Sequence, residues 1–361
     1  MEKLLILNPG STSTKIAIYD GEQALFTENI LHSAEEVGAF EKVADQYAFR
    51  RDLVLKHLAD HGVEVDDLSG IVSRGGLLPP VQAGAYEINE DMVWQLTYAP
   101  QNEHASNLGA LIAFSIANSA SKGRLPAWIY DAVTVDEMIP VTQITGFAEM
   151  RRKGIGHNLN MRAAGMRYAR ERGKKYEECR LVIVHMGGGI SLGLHYHGRI
   201  IDMVNDEEGP FSPERSGGLP LFQVIKMATS GRYDERSLMK RVKNRGGLVA
   251  HFGTNSAENV ERMAEEGDER AKLVYEAMAL NVSKFAAALA TVVEGDVEAI
   301  ILTGGIAHSK KFTGMIEKRV KFIAPVVVYP GENEMHSLAM GGLRVLRGQE
   351  TARKFKAVRD L

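Results

Sequence analysis

Three short segments place glycine beside hydroxyl, amide or imidazole side chains where an apolar run ends. They are residues 8–15 (Asn-Pro-Gly-Ser-Thr-Ser-Thr-Lys), residues 185–189 (His-Met-Gly-Gly-Gly) and residues 303–306 (Thr-Gly-Gly-Ile). Because glycine has no Cβ atom, backbone N–H groups in such loops can approach phosphate oxygens closely. A single glycine loop is usually only a turn, but three together favour phosphate binding. The chain has neither a Gly-x-x-x-x-Gly-Lys-Ser/Thr nor a Gly-x-Gly-x-x-Gly motif, so a nucleotide would need a different cradle.

Two further residues at strand ends have side chains suited to holding a substrate or a metal. Arg74 precedes two glycines, and its planar guanidinium could bind a carboxylate through two hydrogen bonds or form a surface ion pair. Asp131 follows the apolar run 127–130, where its carboxylate could orient Mg²⁺ or its waters. It could equally cap the next segment.

An internal repeat predicts two similar α/β domains. Residues 4–7 and 16–19 read as strands joined by the first glycine loop, and the same strand–loop–strand–turn–strand pattern recurs 177 residues later. Without a gap, Leu4, Ile6, Gly10, Tyr19 and Gly21 coincide with Leu181, Ile183, Gly187, Tyr196 and Gly198. Residues 70–76 and 299–305 form a second pair, each a strand that ends in two glycines and follows a helical segment. The helices are expected over about residues 37–61 and 270–294, with Gly62 and Gly295 as their stop signals. Together the repeats predict two mixed sheets flanked by helices.

The composition is that of an ordinary globular protein with two domains. The 361 residues are 45% hydrophobic and 25% charged, and the net charge of −3 offers no basic field for nucleic acid or anionic lipid. One cysteine excludes an intramolecular disulfide and a cysteine metal cluster. The N-terminal apolar run is too short for a signal peptide, and residues 285–293 are too few to span a bilayer. We therefore expect a cytoplasmic protein with no membrane and no nucleic-acid partner.

These motifs, in this order, resemble those of the acetokinase family, which is part of the superfamily of actin, sugar kinases and heat-shock chaperones. The resemblance runs nearly end to end and rests on the three glycine loops, on the arginine-bearing loop 209–217 and on the acidic motif 332–334. It implies two duplicated actin-like (ribonuclease H-like) domains with an interdomain nucleotide cleft. The N-terminal acyl-kinase domain would span 1–148, with a C-terminal helix 337–361 folding back on it. The C-terminal nucleotide-binding domain would span 149–336.

The resemblance also implies a role for each candidate residue in transferring the γ-phosphoryl group of ATP to a small carboxylate. The implied catalytic residues are Asp131, Arg215 and His157. The implied substrate-binding residues are Arg74, Gly76 and His104. The implied nucleotide-binding residues are Asn8, Gly10, Ser11, Ser13, Lys15, His185, Gly187, Gly188, Gly189, Gly304, Gly305 and Ile306. Mg²⁺ would be held by Asn8 and Glu334.

For five of these residues the sequence itself leaves a structural alternative open. Arg215 could form a salt bridge to Glu214 or Glu208. His157 and His104 could stand at a turn or a helix start. Lys15 could face solvent, and Glu334 could be a first-turn glutamate stabilised by the helix dipole, with Glu332 as a substitute ligand.

The substrate is expected to be longer than acetate. Residues 73–76 (Ser-Arg-Gly-Gly) and 154–158 (Gly-Ile-Gly-His-Asn) resemble the family's butyrate-using members more than its acetate-using ones. Glycine beside the substrate arginine would leave room for a longer acyl chain. One methylene contributes only about 1–3 kcal/mol in a pocket, so isobutyrate, propionate and acetate remain alternatives.

Two other functions compete with carboxylate phosphorylation. A sugar kinase would need a base to activate a hydroxyl, and the residues after Arg74, Gly-Gly-Leu-Leu-Pro-Pro, are too apolar to favour a polyol. A nucleotide-driven binding protein or chaperone would carry an additional domain, of which the composition gives no sign. The expected ligands are ATP or ADP, Mg²⁺ and a small carboxylic acid, and the expected assembly is a homodimer or higher homo-oligomer.

Overall fold

The computed structural model describes residues 2–100 and 103–357. The chain divides into two compact units: the first comprises the residues up to Asp136 together with those from Asn333 onward, and the second runs from Glu137 to Glu332. The two unit boundaries, after Asp136 and after Glu332, come earlier in the chain than the domain boundaries predicted at 148/149 and 336/337. The domain assignment itself stays a prediction. The predicted helix 337–361 extends beyond the described residues, and its described part is helical only as far as Leu346.

In the part of the chain that the structure describes, twelve strands form two sheets. Their bounds are β1 Lys3–Pro9, β2 Ser13–Asp20, β3 Gln23–Leu31, β4 Gly70–Arg74, β5 Ala85–Glu87, β6 Ala127–Tyr130, β7 Arg180–Met186, β8 Ile190–Tyr196, β9 Arg199–Val204, β10 Ala299–Gly304, β11 Val326–Pro330 and β12 Arg353–Lys354. The strand order is β12-β5-β6-β4-β1-β2-β3 in the first unit and β11-β10-β7-β8-β9 in the second.

Thirteen α-helices cover the sheets of the described residues. Their bounds are α1 Ala34–Gly38, α2 Tyr47–Asp60, α3 Glu90–Tyr98, α4 Leu108–Asn118, α5 Pro140–Gln143, α6 Asn158–Glu171, α7 Leu221–Ala228, α8 Glu235–Asn244, α9 Gly247–Phe252, α10 Ala257–Glu265, α11 Glu269–Thr291, α12 Lys310–Val320 and α13 Glu334–Leu346. Short 3-10 helices occupy Val43–Gln46, Val65–Asp67, Ala105–Asn107, Tyr176–Glu178 and Gly305–His308.

The predicted duplication is confirmed by the topology of the two sheets. In each unit a three-stranded antiparallel meander, β1-β2-β3 or β7-β8-β9, continues through its first strand into parallel neighbours. The parallel neighbours are β4 and β6 in the first unit and β10 and β11 in the second. The central strands are apolar at successive positions because both faces of each sheet are covered by helices.

In the first unit, the C-terminal helix α13 packs directly on β1, β4 and β6. Two glycines permit this close approach: a Cβ at Gly341 would lie 2.7 Å from the Tyr130 ring, and one at Gly342 would lie 2.3 Å from Val72. The first residue of this helix is Glu334, which is thereby fixed beside the ends of the central strands.

In the second unit, the longest helix, α11, belongs to the core. By length and composition alone this helix could cross a membrane, whereas only the shorter run 285–293 stood out in the sequence. Half of the helix's most apolar stretch is buried within the structure. Val274, Met278 and Val282 lie in the hydrophobic core with the sheet residues Val182 and Leu194, as in the core helix of a globular fold.

A buried histidine in strand β8 of the second unit, His195, should make the fold less stable in acid. Burial, and secondarily the charge of Arg162, lowers the pKa of His195 to about 3, and its Nδ1 lies 2.6 Å from the Tyr176 hydroxyl. Since the unfolded chain binds this proton below pH ~6.5, the free energy of unfolding should fall by about 1.4 kcal/mol per pH unit between there and pH ~3. Urea unfolding at pH 7, 6 and 5 should show a shallower decline in His195→Asn than in the exposed control His197→Asn. Equal slopes in both variants would contradict the assignment.

Candidate active site

In the first unit, Asn8, Arg74 and Glu334 form one cluster at the ends of neighbouring strands. β1 and β4 run parallel with Leu7 opposite Ser73, so the next residues, Asn8 and Arg74, lie side by side. Asn8 Nδ2 donates a hydrogen bond to Glu334 Oε2 at 2.5 Å, and Arg74 Nη1 lies 3.3 Å from Glu334 Oε1. The Arg74 and Glu334 side chains are 25% and 21% exposed. An amide, a carboxylate and a guanidinium are thus together and accessible to solvent.

The oxygen atoms of this cluster fit a magnesium ion better than a transition metal. Within the described ranges, no group of three or more His, Cys, Asp or Glu side chains is arranged to hold a metal. Mg²⁺ typically takes one or two protein oxygens and completes its shell with waters and phosphate oxygens. The Asn8 amide and the Glu334 carboxylate supply that number. Glu334 is also the first residue of α13, so its structural role beside the helix dipole applies as well.

Asp131 occupies a constrained turn next to Arg74. It directly follows β6, whose last residue, Tyr130, is opposite Arg74. Its φ of +43° is in the left-handed region, and its carboxylate is buried and accepts a hydrogen bond from the Gly84 N–H at 2.8 Å. The cap that the sequence left open is therefore a turn cap on Gly84. A buried aspartate held in such a conformation is commonly found where function imposes it.

His104 combines the two interpretations that the sequence left open for it. Its Nδ1 accepts a hydrogen bond from the Ser106 N–H at 3.1 Å, which caps the short helix Ala105–Asn107. Burial, and secondarily the positive charge of Arg74, lowers its pKa. The imidazole is therefore neutral at pH 7, and because Nδ1 is the acceptor, the proton lies on Nε2. His104 therefore starts a helix and is also close enough to Arg74 to feel its charge, and its Nε2–H can donate a hydrogen bond to a nearby oxygen.

The space expected beside Gly76 is already filled. A Cβ at this position would lie 2.7 Å from Asn107 Oδ1, 2.9 Å from Asn107 Cα and 3.0 Å from Leu96 Cδ2. Asn107 is itself fixed, since its Oδ1 accepts a hydrogen bond from the Leu77 N–H at 2.8 Å. Close packing against Asn107 and Leu96 thus accounts for a glycine at position 76, and its role beside the acyl chain stays a prediction.

We predict that Gly76→Ala destabilises the protein by about 1–3 kcal/mol, as overpacking of a filled site usually does. The mutation should not produce a selective loss of longer acids. The control is Gly38→Ala, because nothing lies within 4 Å of a Cβ at Gly38. Denaturant unfolding measures the stability difference, and the ratio of activities with butyrate and acetate measures selectivity. Normal stability with a shift toward acetate would restore the original interpretation of Gly76.

The hairpin of β1 and β2 presents polar groups at its loop and opposite Asn8. Ser11 and Thr12 are exposed at its tip, and the loop is closed by the Gly10 N–H, which donates to Ser13 O at 2.8 Å. Lys15 is exposed and lies directly opposite Asn8 in the antiparallel pair. Directly opposite residues project from the same face of a sheet, so the lysine and the asparagine share a face.

In the second unit, two histidines stack over a carboxylate. The His157 and His185 rings are 4.1 Å apart and nearly parallel, and His185 Nε2 lies 3.5 Å from Glu332 Oε2. His157 Nδ1 lies 2.9 Å from Ser191 Oγ, and Asn160 Nδ2 donates to Glu332 at 3.2 Å. His157 also immediately precedes α6, as the helix-entry alternative expected. Glu332, considered from sequence only as a substitute for Glu334, is instead the partner of His185.

Arg215 lies against the glycine loop 187–189. A Cβ at Gly189 would be 3.0 Å from the guanidinium carbon of Arg215, and its Nη1 lies 2.7 Å from Asp206 Oδ2. The loop that carries it is tied to Gly188 O by Ser212 Oγ at 2.7 Å and by the Glu214 N–H at 3.2 Å. The ion pair is thus with Asp206, which the sequence did not single out.

The two carboxylates predicted as alternative partners of Arg215 are engaged elsewhere. Glu208 binds Arg152 at 2.8 Å, and Glu214 accepts a hydrogen bond from Asn255 at 2.8 Å. The partner was missed because Asp206 is nine residues away along an irregular loop, where sequence spacing does not determine contacts.

The third glycine loop lies next to the second. In the parallel pair β7–β10, Thr303 is opposite His185, so the loops that follow these strands are neighbours. Gly304 has a φ of +93°, and a Cβ there would lie 2.3 Å from Met186 O. Only glycine fits this position. Gly305 and Ile306 then begin the 3-10 helix Gly305–His308.

Comparison with known proteins places these features in a family. A sequence model of the Acetokinase family matches residues 146–324. Butyrate kinase 1 of Clostridium acetobutylicum is 48% identical over 358 residues, which cover 99% of this chain and all of the relative. Butyrate kinase 2 of the same organism is 47% identical over 356 residues, covering 98% of this chain and 99% of the relative.

Solved structures of other acid kinases share the fold. The acetate kinase of Porphyromonas gingivalis superposes with a TM-score of 0.78 at 16% identity, covering 96% of this chain and all of that one. A propionate kinase from Francisella tularensis gives a TM-score of 0.75 at 17% identity, covering 94% and 99%. The predicted actin-like fold, with mixed sheets flanked by helices, is thereby confirmed.

Proposed function

Because the chain belongs to the acetokinase family, we propose that it is a butyrate kinase, which reversibly converts butyrate and ATP into butyryl phosphate and ADP. The protein is a carboxylate kinase and uses ATP and ADP. The observation that carries the choice of butyrate is the 48% identity to a butyrate kinase along the full length of both chains.

The reaction requires positioning and charge stabilisation more than acid–base chemistry. A carboxylic acid is ionised at neutral pH, so the acceptor needs no general base. Its oxygen must be held in line with the γ-phosphorus, and the charge on the transferring group must be balanced. We assign Arg74 to the acceptor carboxylate, with the His104 Nε2–H as an additional donor. Arg215 is assigned to the transferring phosphoryl group.

The remaining assignments concern the nucleotide and the metal. Residues 10–13 with Lys15, and residues 187–189, would bind phosphate oxygens through N–H, hydroxyl and ammonium groups. Residues 304–306 would contact the adenosine. Mg²⁺, which neutralises phosphate charge when bound, would be held by Asn8 and Glu334. Asp131 keeps the turn beside Arg74 in place, and the stacked His157 and His185 would donate to phosphoryl oxygens.

Trapping the product tests this function directly. Acyl phosphate formed from ATP, Mg²⁺ and an acid reacts with hydroxylamine to give a hydroxamate, which added Fe³⁺ converts into a coloured complex. The acids to compare are acetate, propionate, butyrate, isobutyrate and valerate. We expect a maximum at butyrate, and a maximum at isobutyrate would assign a branched-chain acid kinase. A maximum at acetate would overturn the proposed substrate, and ATP hydrolysis without hydroxamate would favour a sugar kinase or a nucleotide-driven binding protein.

We also propose a cytoplasmic homo-oligomer. Helix α7 exposes Leu221, Phe222 and Ile225, which are 61%, 80% and 50% accessible, and such a face is typical of a surface that a partner covers. Size-exclusion chromatography with light scattering should give at least the mass of a dimer, and a monomer at micromolar concentration would exclude this assembly.

A further inference from the structure

A buried arginine lies behind the exposed hairpin loop of the first unit. Arg50, on helix α2, is only 1% exposed. Its Nη1 donates to Gly10 O at 2.7 Å and to Ser13 O at 3.0 Å, and its Nη2 donates to Ser11 O at 3.1 Å. One guanidinium therefore holds three backbone carbonyl groups of a single loop.

These contacts determine where the N–H groups of the loop point. In a planar trans peptide, the C=O of one residue and the N–H of the next are antiparallel. Since the carbonyls of Gly10 and Ser11 point at Arg50, the N–H groups of Ser11 and Thr12 point away from it, toward the exposed side. Successive N–H groups that face outward together form a concave site for an anion.

The charge of Arg50 is not balanced within the fold. Its remaining hydrogen bonds go to Gln46 Oε1 and Thr14 Oγ1, and in the described part of the chain no carboxylate lies within salt-bridge distance of it. Burial lowers its pKa to about 10, so it is still a cation at pH 7. A buried cation without a counter-charge is costly, and an anion bound at the loop would offset part of that cost.

We propose that Arg50 is a positioning residue for nucleotide phosphate: it holds the loop carbonyls inward, so that the N–H groups of Ser11 and Thr12 face the anion, and it adds an unbalanced positive charge behind them. The inference rests on the proposed function, which assigns this loop to ATP. Lysine would keep the charge, but its single ammonium cannot reproduce the fork that reaches three carbonyls.

Two substitutions separate the orienting role from the electrostatic one. Arg50→Lys keeps the charge and loses the fork. Gln46→Glu keeps the fork and introduces a carboxylate at the atom that now lies 2.8 Å from Arg50 Nη2, which neutralises the charge without emptying the site. The matched control is Arg51→Lys, because Arg51 is the next residue of the same helix and its polar partners, Asp52 and Ser115, lie outside the loop.

The measurements are the melting temperature, the KM values for ATP and for the acid, kcat, and the dissociation constant for ADP with Mg²⁺ by calorimetry. We expect Arg50→Lys to raise the KM for ATP and the dissociation constant for ADP roughly 10-fold, about the effect of losing one hydrogen bond from the misoriented loop to the phosphate. Gln46→Glu should raise both roughly 3- to 10-fold while keeping or raising the melting temperature, because it pairs a buried charge. The KM for the acid should stay within about 2-fold of wild type in both variants, because sites without shared partners are nearly independent. In the Arg51→Lys control all of these values should stay within about 2-fold of wild type.

A purely structural Arg50 would give a different pattern. Both variants would then change nucleotide affinity by less than about 2-fold whenever they fold, and that result overturns the inference. If Arg50→Lys does not fold, Gln46→Glu decides alone. If wild type forms no hydroxamate with any acid, the proposed function fails, but the calorimetric comparison still tests Arg50 because ADP binding requires no acid.

Discussion

Replacing Arg215 with alanine should lower kcat by about 10³-fold, the usual contribution of an arginine that balances charge on a transferring phosphoryl group. The guanidinium lies on the glycine loop at Gly189 and is 34% exposed, so it can reach a ligand at that loop. It is held there by Asp206 at 2.7 Å. Because the charge that Arg215 is proposed to balance develops in the transition state, the KM for ATP should change much less than kcat.

A lysine and a distant arginine provide the controls for this prediction. Arg215→Lys should recover only part of kcat, since a point charge replaces a planar fork. Arg262→Ala removes a surface arginine of the same unit, which forms a long ion pair with Glu266 at 4.0 Å and a hydrogen bond to Asn259 Oδ1 at 3.3 Å, and should leave kcat unchanged. Steady-state kinetics and thermal unfolding measure both. A stable Arg215→Ala enzyme with normal kcat and a raised KM would assign Arg215 to ground-state binding.

The neighbouring residue Asp206 should affect activity through Arg215. Asp206→Asn keeps the shape of the side chain but weakens the ion pair, so we expect a smaller loss of kcat, about 10-fold, from a less ordered guanidinium. In the Arg215→Ala background the same change should have no further effect. Equal losses in both backgrounds would contradict the assigned positioning role of Asp206.

The repeated strand pattern was predictable because it depends on local chemistry. Apolar runs, turn glycines and the 177-residue offset between Leu4 and Leu181 are properties of the sequence itself. The strand ends follow from these patterns. So do the glycines with positive φ that end the helical segments, Gly62 at +67° and Gly295 at +85°. The helix expected over residues 37–61 is interrupted instead: α1 ends at Gly38, and α2 begins at Tyr47. Helix breaks at the surface are weakly determined by periodicity.

The contacts between distant segments were the part that sequence could not supply. The pairing of Asn8 with Glu334 joins residues 326 positions apart, and only the family resemblance suggested it. The packing of Asn107 against Gly76 and the three carbonyl contacts of Arg50 had no local signal at all. Arg50 looked like any other charged residue of an amphipathic helix, because burial is a property of the assembled fold. The conformation of the loop 10–13 thus depends on a buried residue that belongs to no recognisable motif.

Replacing Arg74 with alanine should lower kcat/KM for the acid by about 10²-fold, corresponding to about 3 kcal/mol for a charge-assisted contact to a carboxylate. In the proposed function Arg74 binds the carboxylate that all the acids share, so acetate, propionate and butyrate should lose activity by nearly the same factor. The KM for ATP should change little. A residue that lined the acyl chain would instead alter the ratio between acids, which makes the pattern across acids more informative than the size of the loss.

The existing contact between Arg74 and Glu334 must be separated from that effect. Arg74 Nη1 lies 3.3 Å from Glu334 Oε1, so the alanine variant also removes a partner of a proposed magnesium ligand. Glu334→Gln keeps the size of the side chain and should raise the Mg²⁺ concentration required for half-maximal rate, with unchanged preference among acids. If Arg74→Ala shifts the Mg²⁺ requirement as strongly as Glu334→Gln and leaves the KM for butyrate unaltered, Arg74 supports the metal ligand and the acceptor carboxylate is bound elsewhere. If the two effects separate, a single cluster holds both the metal and the acceptor, and the Arg74–Glu334 contact fixes the distance between them.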